Sequence, residues 1–348
     1  LITIKIQLYE THKKLLKRSV INSGDFLITI AGTIGKIFIV PENSPEMNCN
    51  QAIAIIRLTK EIDKFYLKHW LGTSDALRQI QGAKVTATIS NLSLGQIKNL
   101  KVPLPPLSEQ KRIAAILDKA DAVRRKRQQA IELADEFLRS VFLDMFGDPV
   151  VNPKGWEVDS LDNQLVSTNN GLSRRRKESE NRGDLVLRLQ DVHYTGIRFD
   201  KDLNRISLDD KEKPRYLLEV GDILFIRVNG NPNYVGRSAV FEGHSEPVYH
   251  NDHLIRIKIG ASYNPRFLSY CFNQKGGRTI ISGQIKTSAG QHTVSKGGIE
   301  QLQFYRPPLE LQEKFVRIKN KVEKLPYDVL ESEQMFNALS QKAFAGNL

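Results

Sequence analysis

The longest regular pattern in the chain is a helical repeat of apolar residues that follows Pro105 and Pro106 and ends near Gly147. No glycine or proline interrupts the repeat. Ser108 is the predicted N-cap, because its hydroxyl can accept a free backbone N–H. Such a helix is a rod of about 55–60 Å, and its apolar seam requires a second helix to cover it. The predicted seam consists of Ile113, Ile116 or Leu117, Ala120, Val123, Ile131, Ala134, Leu138, Val141 and Met145.

A second helical pattern runs from about Leu309 to Phe344, and Pro326 predicts a kink or break within it. Each helix is preceded by strand-like runs rich in β-branched and aromatic residues, separated by polar turns. We expect the two helices to pair as an antiparallel coiled coil, because this arrangement buries both seams.

The two halves of the chain repeat each other. The matching positions include Gly24 and Gly221, Gly35 and Gly236, Asn50 and Asn251, Gly82 and Gly283, and Pro105 and Pro307. The sequence therefore predicts an α+β protein with two α/β domains, at 1–107 and 149–306, and two helices, at 108–148 and 307–348. The first copy is several tens of residues shorter at its front, so we expect an N-terminally incomplete domain, from either a fragment or a truncated gene.

Composition narrows the class of partner. The net charge of +12 favours a polyanion. Cys49 and Cys271 lie in separate segments, which predicts reduced thiols and a cytoplasmic protein. No apolar run is long enough to cross a bilayer, so no membrane partner is expected.

Four short motifs lack residues that an enzyme site or a metal site would need. Asn231–Tyr234 is similar to the Asn-Pro-Pro-Tyr loop of DNA amino-methyltransferases, but one position differs and no glycine-rich loop for S-adenosylmethionine is present. Gly32–Lys36 matches half of a phosphate loop, with isoleucine where a hydroxyl should bind Mg²⁺. His250 and His253 have no further metal ligands nearby. Glu109–Lys111 lacks the preceding acidic residue of a nuclease. We favour polar turns at the first three.

Polar and basic loops recur in both copies, and they are the candidate DNA contacts. Arg, Asn and Gln suit base edges, whereas Lys, Ser and Thr suit phosphates. The alternative is that these loops are simply solvated, like the charged Arg124–Arg127 on the long helix. The candidates are Thr33, Lys36, Asn50, Gln51, Lys84, Thr86, Arg174, Arg175, Arg176, Lys177, Arg188, Asn229, Asn231, Asn233, Tyr234, Arg237, Asn251, His253, Lys286, Thr287, Gln291 and His292.

From Pro103 to Asp118, the sequence Pro-Leu-Pro-Pro-Leu-Ser-Glu-Gln-Lys-Arg-Ile-Ala-Ala-Ile-Leu-Asp resembles the specificity subunit of type I restriction-modification systems. The resemblance extends to Phe142–Gly147, Pro307–Glu313 and Gln341–Gly346, and covers nearly the whole chain. It implies two target-recognition domains joined by an antiparallel helix pair, with each domain reading half of a bipartite DNA target. The short first domain and Pro326 depart from the family pattern.

The resemblance also implies which chemistry belongs to partner proteins. The chain itself is expected to be non-catalytic and to bind no cofactor. Modification subunits would use S-adenosylmethionine to methylate adenine in double-stranded DNA, and restriction subunits would use ATP and Mg²⁺. The helix length would set the spacer between half-sites. Two alternatives stay open, namely a standalone methyltransferase or nuclease, and a non-functional remnant or a scaffold that does not bind DNA.

Overall fold

The computed structural model describes residues 19–45, 47–58, 61–82, 92–174, 183–199, 203–324 and 329–348. The chain divides into two compact units. The first unit comprises Leu1–Ile131 with Tyr327–Leu348, and the second comprises Glu132–Pro326. Pro326, where a kink was predicted, lies outside the described residues.

The described part of the first unit is a small antiparallel sheet with helices following it. Its elements are β1 (Val20–Ile21), β2 (Phe26–Thr29), β3 (Ile37–Ile39), β4 (Met47–Asn48), β5 (Ile53–Ile56), α1 (Lys64–Leu71), α2 (Ser74–Gly82), α3 (Leu94–Lys98) and the start of α4 (Leu107–Phe146). Strand β2 lies between β3 and β5, while β1 pairs with β4.

The second unit begins within α4 and contains several small sheets. Its strands are β6 (Val158–Ser160), β7 (Leu165–Asn170), β8 (Asp184–Leu187), β9 (Val192–His193), β10 (Gly196–Ile197), β11 (Arg205–Ile206), β12 (Ile223–Ile226), β13 (Val228–Asn229), β14 (Ser238–Val240), β15 (Val248–His250), β16 (Leu254–Ile259), β17 (Ile285–Ser288), β18 (Gln291–Val294) and β19 (Gln303–Tyr305). Its helices after α4 are α5 (Glu212–Tyr216), α6 (Pro265–Asn273), α7 (Lys275–Ser282), α8 (Lys296–Glu300) and α9 (Leu309–Glu323).

The strand orders of the second unit are β14-β12-β16-β7, β11-β8-β15, β13-β18-β17, β10-β9 and β19-β6. Within the first of these sheets, β12, β14 and β16 correspond to β2, β3 and β5, with the same register. The matching pairs are Phe26–Ile39 and Phe26–Ile56 in the first unit, and Ile223–Val240 and Ile223–Ile257 in the second. This shared register confirms the predicted repeat.

Strand β12 is buried on both faces, which explains its uninterrupted apolar sequence. Ile223 and Phe225 face a core that contains Phe267 and Phe315. Leu224 and Ile226 face a second core, formed in part by β8. The described residues therefore include two apolar layers around the same central strand.

Helix α4 pairs with a different helix in each unit. In the first unit its partner is α10 (Val329–Phe344). Near the start of α4, Ile113 and Leu117 share a core with Ala343, whereas further along, Arg124 lies against Phe336. The partner numbering falls as the α4 numbering rises, so this pair is antiparallel.

In the second unit the end of α4 packs on the start of α9. The Phe142 and Phe315 rings are 5.5 Å apart, and the Phe146 and Phe315 rings are 5.8 Å apart. Asp135 lies earlier in α4. Burial raises its pKa, and the negative charge of Glu323 raises it further, so Glu323 lies near it. This pair is antiparallel as well, which confirms the predicted pairing in each unit by itself.

Two details of the helix prediction were wrong. Helix α4 begins at Leu107, so Ser108 lies inside its first turn and the N–H groups of Glu109 and Gln110 bond to the carbonyl of Pro106. Phe142 and Phe146 are fully buried, whereas Val123 of the predicted seam is 52% exposed. Near the end of the helix, residues 141 and 145 and residues 142 and 146 are all apolar, so the sequence allowed either pair in the seam. The rings of Phe142 and Phe146 are the pair that fills the core of the second unit.

A buried glutamine fastens each helix start to its own domain. In the first unit, Gln110 Nε2 donates to the carbonyls of Pro105 and Glu61 at 2.9 and 3.1 Å, and its Oε1 accepts the N–H of Asp63 at 3.0 Å. Asp63 in turn caps α1. The glutamine thereby ties the cap of one helix to the first turn of another.

The second unit repeats this arrangement with Gln312. Its Nε2 donates to Pro307 and Ser262 at 2.8 and 3.1 Å, and its Oε1 accepts from Asn264, the N-cap of α6, at 2.9 Å. Gln312 is 0% exposed, so water cannot reach its side-chain amide without opening the core.

We expect Gln312→Leu to lower the free energy of unfolding of the second unit by about 2–4 kcal/mol, because three backbone groups lose a buried partner. The chain has two tryptophans, Trp70 in the first unit and Trp156 in the second. In a Trp70→Phe chain, Trp156 fluorescence therefore reports urea unfolding of the second unit alone. Gln303→Leu, at an exposed glutamine on β19 of the same unit, is the matched control. A change within about 0.5 kcal/mol for both variants would contradict the structural role of Gln312.

Candidate nucleic-acid interface

In each unit, one backbone hydrogen bond joins the loop that leaves the central strand to the turn that enters its neighbour. Ile30 N–H donates to Ala52 O at 2.8 Å in the first unit, and Arg227 N–H donates to His253 O at 2.8 Å in the second. The bond brings residues 50–52 beside the loop at 30–34, and residues 251–253 beside the loop at 227–235. Most of the predicted contacts therefore lie at one edge of each central sheet.

Both loops close through an equivalent glycine. The N–H of Gly35 bonds to Thr29 O at 2.9 Å, and that of Gly236 bonds to Ile226 O at 2.7 Å. Both glycines have positive φ, and a Cβ on Gly236 would lie 2.4 Å from Ile281 Cγ2. The residue after each glycine is thereby fixed at the same place, Lys36 in the first unit and Arg237 in the second.

The longer loop of the second unit is ordered by its own asparagines. Asn229 Oδ1 accepts the N–H of Asn231 at 2.9 Å, and Asn231 Oδ1 accepts the N–H of Asn233 at 3.0 Å. These are Asx turns, which the short polar side chain forms with the backbone two residues on. The loop supports the polar-turn interpretation of the motif at 231–234.

Arg237 is held at the end of this loop by two contacts. Its guanidinium carbon lies 3.9 Å from the centre of the Tyr234 ring, and its Nε donates to Asn233 O at 3.0 Å. Tyr234 is 42% exposed. The terminal nitrogens of Arg237 are thus presented beside an accessible aromatic ring.

A hairpin of β17 and β18 extends the same surface through β13. Asn229 pairs with His292, and His292 pairs with Thr287. Thr287 Oγ1 and His292 Nδ1 are 2.9 Å apart. This segment was expected to be a flexible loop; instead Ala289 and Gly290, both with positive φ, form a tight hairpin turn. Lys286 and Gln291 are exposed on the hairpin.

The remaining first-unit candidates are only partly described. Thr33, Lys36, Asn50 and Gln51 are exposed, and Asn50 Oδ1 accepts the N–H of Ala52 at 3.0 Å. Thr33 O accepts a hydrogen bond from the hydroxyl of Thr29. Two further candidates, Lys84 and Thr86, lie outside the described residues.

Two arginine candidates of the second unit are paired with acidic residues of the same unit. Arg174 lies 3.2 Å from Glu212, and Arg188 lies 3.8 Å from the buried Asp191. Both sit apart from the loop at 227–235 in sequence. The candidates Arg175, Arg176 and Lys177 lie outside the described residues.

His250 and Asn251 form the buried side of the turn at 251–253. His250 is 0% exposed and its Nδ1 lies 3.0 Å from Tyr216 O. Burial, reinforced by the charge of Arg256, lowers the pKa of His250 from 6.5 to about 4. The histidine is therefore neutral at physiological pH, and it supports the turn from beneath.

Arg278 of α7 was missed by the sequence analysis. Its Nη2 donates to Val235 O at 2.5 Å, and burial and the charge of Arg237 lower its pKa. It therefore adds a second cation behind Arg237. In the repeat, Arg278 corresponds to Leu77 of α2, so a comparison of the two copies shows an arginine in place of an apolar residue. The second copy by itself gives no such indication, because a single arginine in a helix forms no pattern.

Among the described residues, no group of three histidine, cysteine or acidic side chains is arranged to hold a metal ion. None of the described helices has a long enough apolar stretch to cross a membrane. The described interface thus consists of amide, hydroxyl, imidazole and cationic groups, which can bind and discriminate a ligand.

The family model for the type I restriction modification DNA specificity domain matches residues 2–133. The chain is similar to the StySPI type I restriction enzyme specificity subunit of Salmonella potsdam, with 30% identity over 316 residues, covering 84% of this chain and 67% of the relative. It is 26% identical to the EcoKI specificity subunit of Escherichia coli, over 84% of this chain and 68% of the relative.

A solved structure shows the same fold. The type I restriction-modification S subunit from M. genitalium aligns with a TM-score of 0.59 at 16% identity, covering 93% of this chain and 83% of that one. The alignment confirms the predicted α+β fold class with its long helix.

We expect the second unit to lose stability as the pH falls from about 6.5 to about 4, because His250 stays neutral when folded but takes up a proton when unfolded. The loss attributable to this residue is about 3 kcal/mol. Urea unfolding at several pH values, followed by Trp156 fluorescence in the Trp70→Phe chain, measures it. His250→Gln should remove this part of the slope, and an unchanged slope in that variant would contradict the assignment.

Proposed function

The chain belongs to the DNA specificity subunits of type I restriction-modification systems, and on this basis we propose that each of its two units reads one half of a bipartite DNA target. Family membership confirms that the chain is a specificity subunit and not itself an enzyme. The target would be double-stranded, because the family acts in the modification of duplex DNA.

The repeated interface is the observation that carries this proposal. The bonds Ile30–Ala52 and Arg227–His253 bring two polar segments to equivalent edges of two sheets with the same register. A protein that reads two half-sites needs two equivalent frames with different side chains upon them. Phosphate contacts would supply much of the affinity, and base contacts would supply the sequence preference.

We propose that partner subunits supply the chemistry of the complex. Modification subunits would bind S-adenosylmethionine and methylate adenine, and restriction subunits would bind ATP and Mg²⁺, in the cytoplasm. This chain would bind no cofactor and would recruit both kinds of subunit. Leu133 and Phe137, one turn apart on α4, are 57% and 51% exposed, and such exposed apolar side chains support a protein contact on this helix.

We expect DNA binding by the complex of this chain with its modification subunits to weaken about 10³-fold between about 50 and about 200 mM salt. Lys36→Gln should reduce the slope of log K against log salt by about one and weaken all sequences equally. Fluorescence anisotropy with a labelled duplex at several salt concentrations measures both effects.

Lys98→Gln, an exposed lysine on α3 of the same unit, is the matched control and should leave the slope unchanged. An unchanged slope in Lys36→Gln would remove Lys36 from the interface. If DNA binding by the complex without any substitution did not respond to salt, that result would contradict the proposed function itself.

A further inference from the structure

Several arginine side chains that are at least partly exposed on the second unit have an acidic partner. Arg266 binds Glu242 through both arms of its guanidinium, with Nε 2.7 Å from Oε1. Arg205 binds Glu246 in the same two-armed manner, and Arg306 lies 2.6 Å from Glu157. In each case a carboxylate satisfies the guanidinium.

Arg237 differs, because no carboxylate among the described residues lies within 4 Å of its guanidinium. The charge of Arg237 contributes to lowering the pKa of Arg278, so the two guanidinium groups lie close enough to interact. Two guanidinium groups of the same sign stand together at the edge of the interface. An arrangement of this kind attracts an external acceptor rather than an internal one.

The orientation of Arg237 is also fixed before any ligand binds. The contact of the guanidinium with the Tyr234 ring and the bond from Nε to Asn233 O together hold the side chain in place. The Nη1 and Nη2 groups are left as a parallel pair of donors. Holding a side chain in its binding geometry lowers the entropy lost on association.

A parallel pair of N–H donors matches the O6 and N7 acceptors of guanine in the major groove, and this is the commonest base-specific contact of arginine. From this geometry, and resting on the proposed function, we infer that Arg237 reads one guanine in the half-site of the second unit. Tyr234 is its positioning residue. The corresponding Lys36 is a single ammonium without a fork, so it suits a phosphate instead.

The closing experiment maps methylated adenines in the genomic DNA of a host that expresses the chain with its modification subunits. The complex whose chain carries no substitution should methylate adenines within a bipartite sequence motif. Arg237→Lys keeps the charge but removes the fork, so the preference for guanine at one position of one half-site should fall about 10- to 100-fold. The other half-site should not change.

Matched variants separate this role from a structural one. Arg266→Lys, at an arginine already satisfied by Glu242, should leave the motif intact. Tyr234→Leu should relax the same guanine position as Arg237→Lys, and Tyr234→Phe should restore it because the ring face is retained. The midpoint of thermal unfolding of each variant complex should stay within a few degrees of the midpoint for the complex without substitutions.

Each result has a distinct meaning. A uniform fall in methylation with the motif unchanged in Arg237→Lys would make Arg237 a phosphate contact and overturn the inference alone. Loss of thermal stability in Arg237→Lys with an unchanged motif would make it a structural brace, and would overturn it as well. An unmodified complex that neither methylates DNA nor binds it would overturn the proposed function together with the inference.

Discussion

The hydrogen bonds of two buried glutamines constrain both units. Gln110 and Gln312 each join a proline carbonyl at a helix start to the backbone around the N-cap of an earlier helix in the same unit. A buried amide that loses any of these partners pays the full cost of desolvation, which makes the joint intolerant of displacement. Each domain is therefore held in a fixed relation to the helix that follows it.

The two units also differ in the loop at the edge of the central sheet. The central strands keep the same register in the two units, but the loop after them spans 30–34 in one and 227–235 in the other. The added residues carry the asparagine turns and Tyr234. A rigid frame with exchangeable loops lets one fold present two different surfaces to two different ligand sequences.

Sequence reasoning predicted the long helix, the repeat and the antiparallel pairing, because these depend on periodicities that many residues share. It failed at Ser108, where a cap depends on a single residue, and at Val123, where two apolar faces were equally consistent with the pattern. It also interpreted the segment at 286–292 as a loop, since a hairpin with a polar sequence has no apolar alternation to reveal it. The glutamine joint could have been found by comparing the two proline motifs residue by residue.

The candidate site was predictable in its location but not in its division of roles. Asn229, Asn231 and Arg237 look alike in the sequence as polar loop residues. In the structure the side-chain carbonyl oxygens of the two asparagines accept backbone N–H groups, whereas Arg237 donates to the loop through its Nε, at Asn233 O. The side chains of Asn229 and Asn231, which form the loop, thus have a different role from that of Arg237, which the loop holds at its end. Only the fold of the loop makes this distinction, because it depends on which polar atoms the backbone has already used.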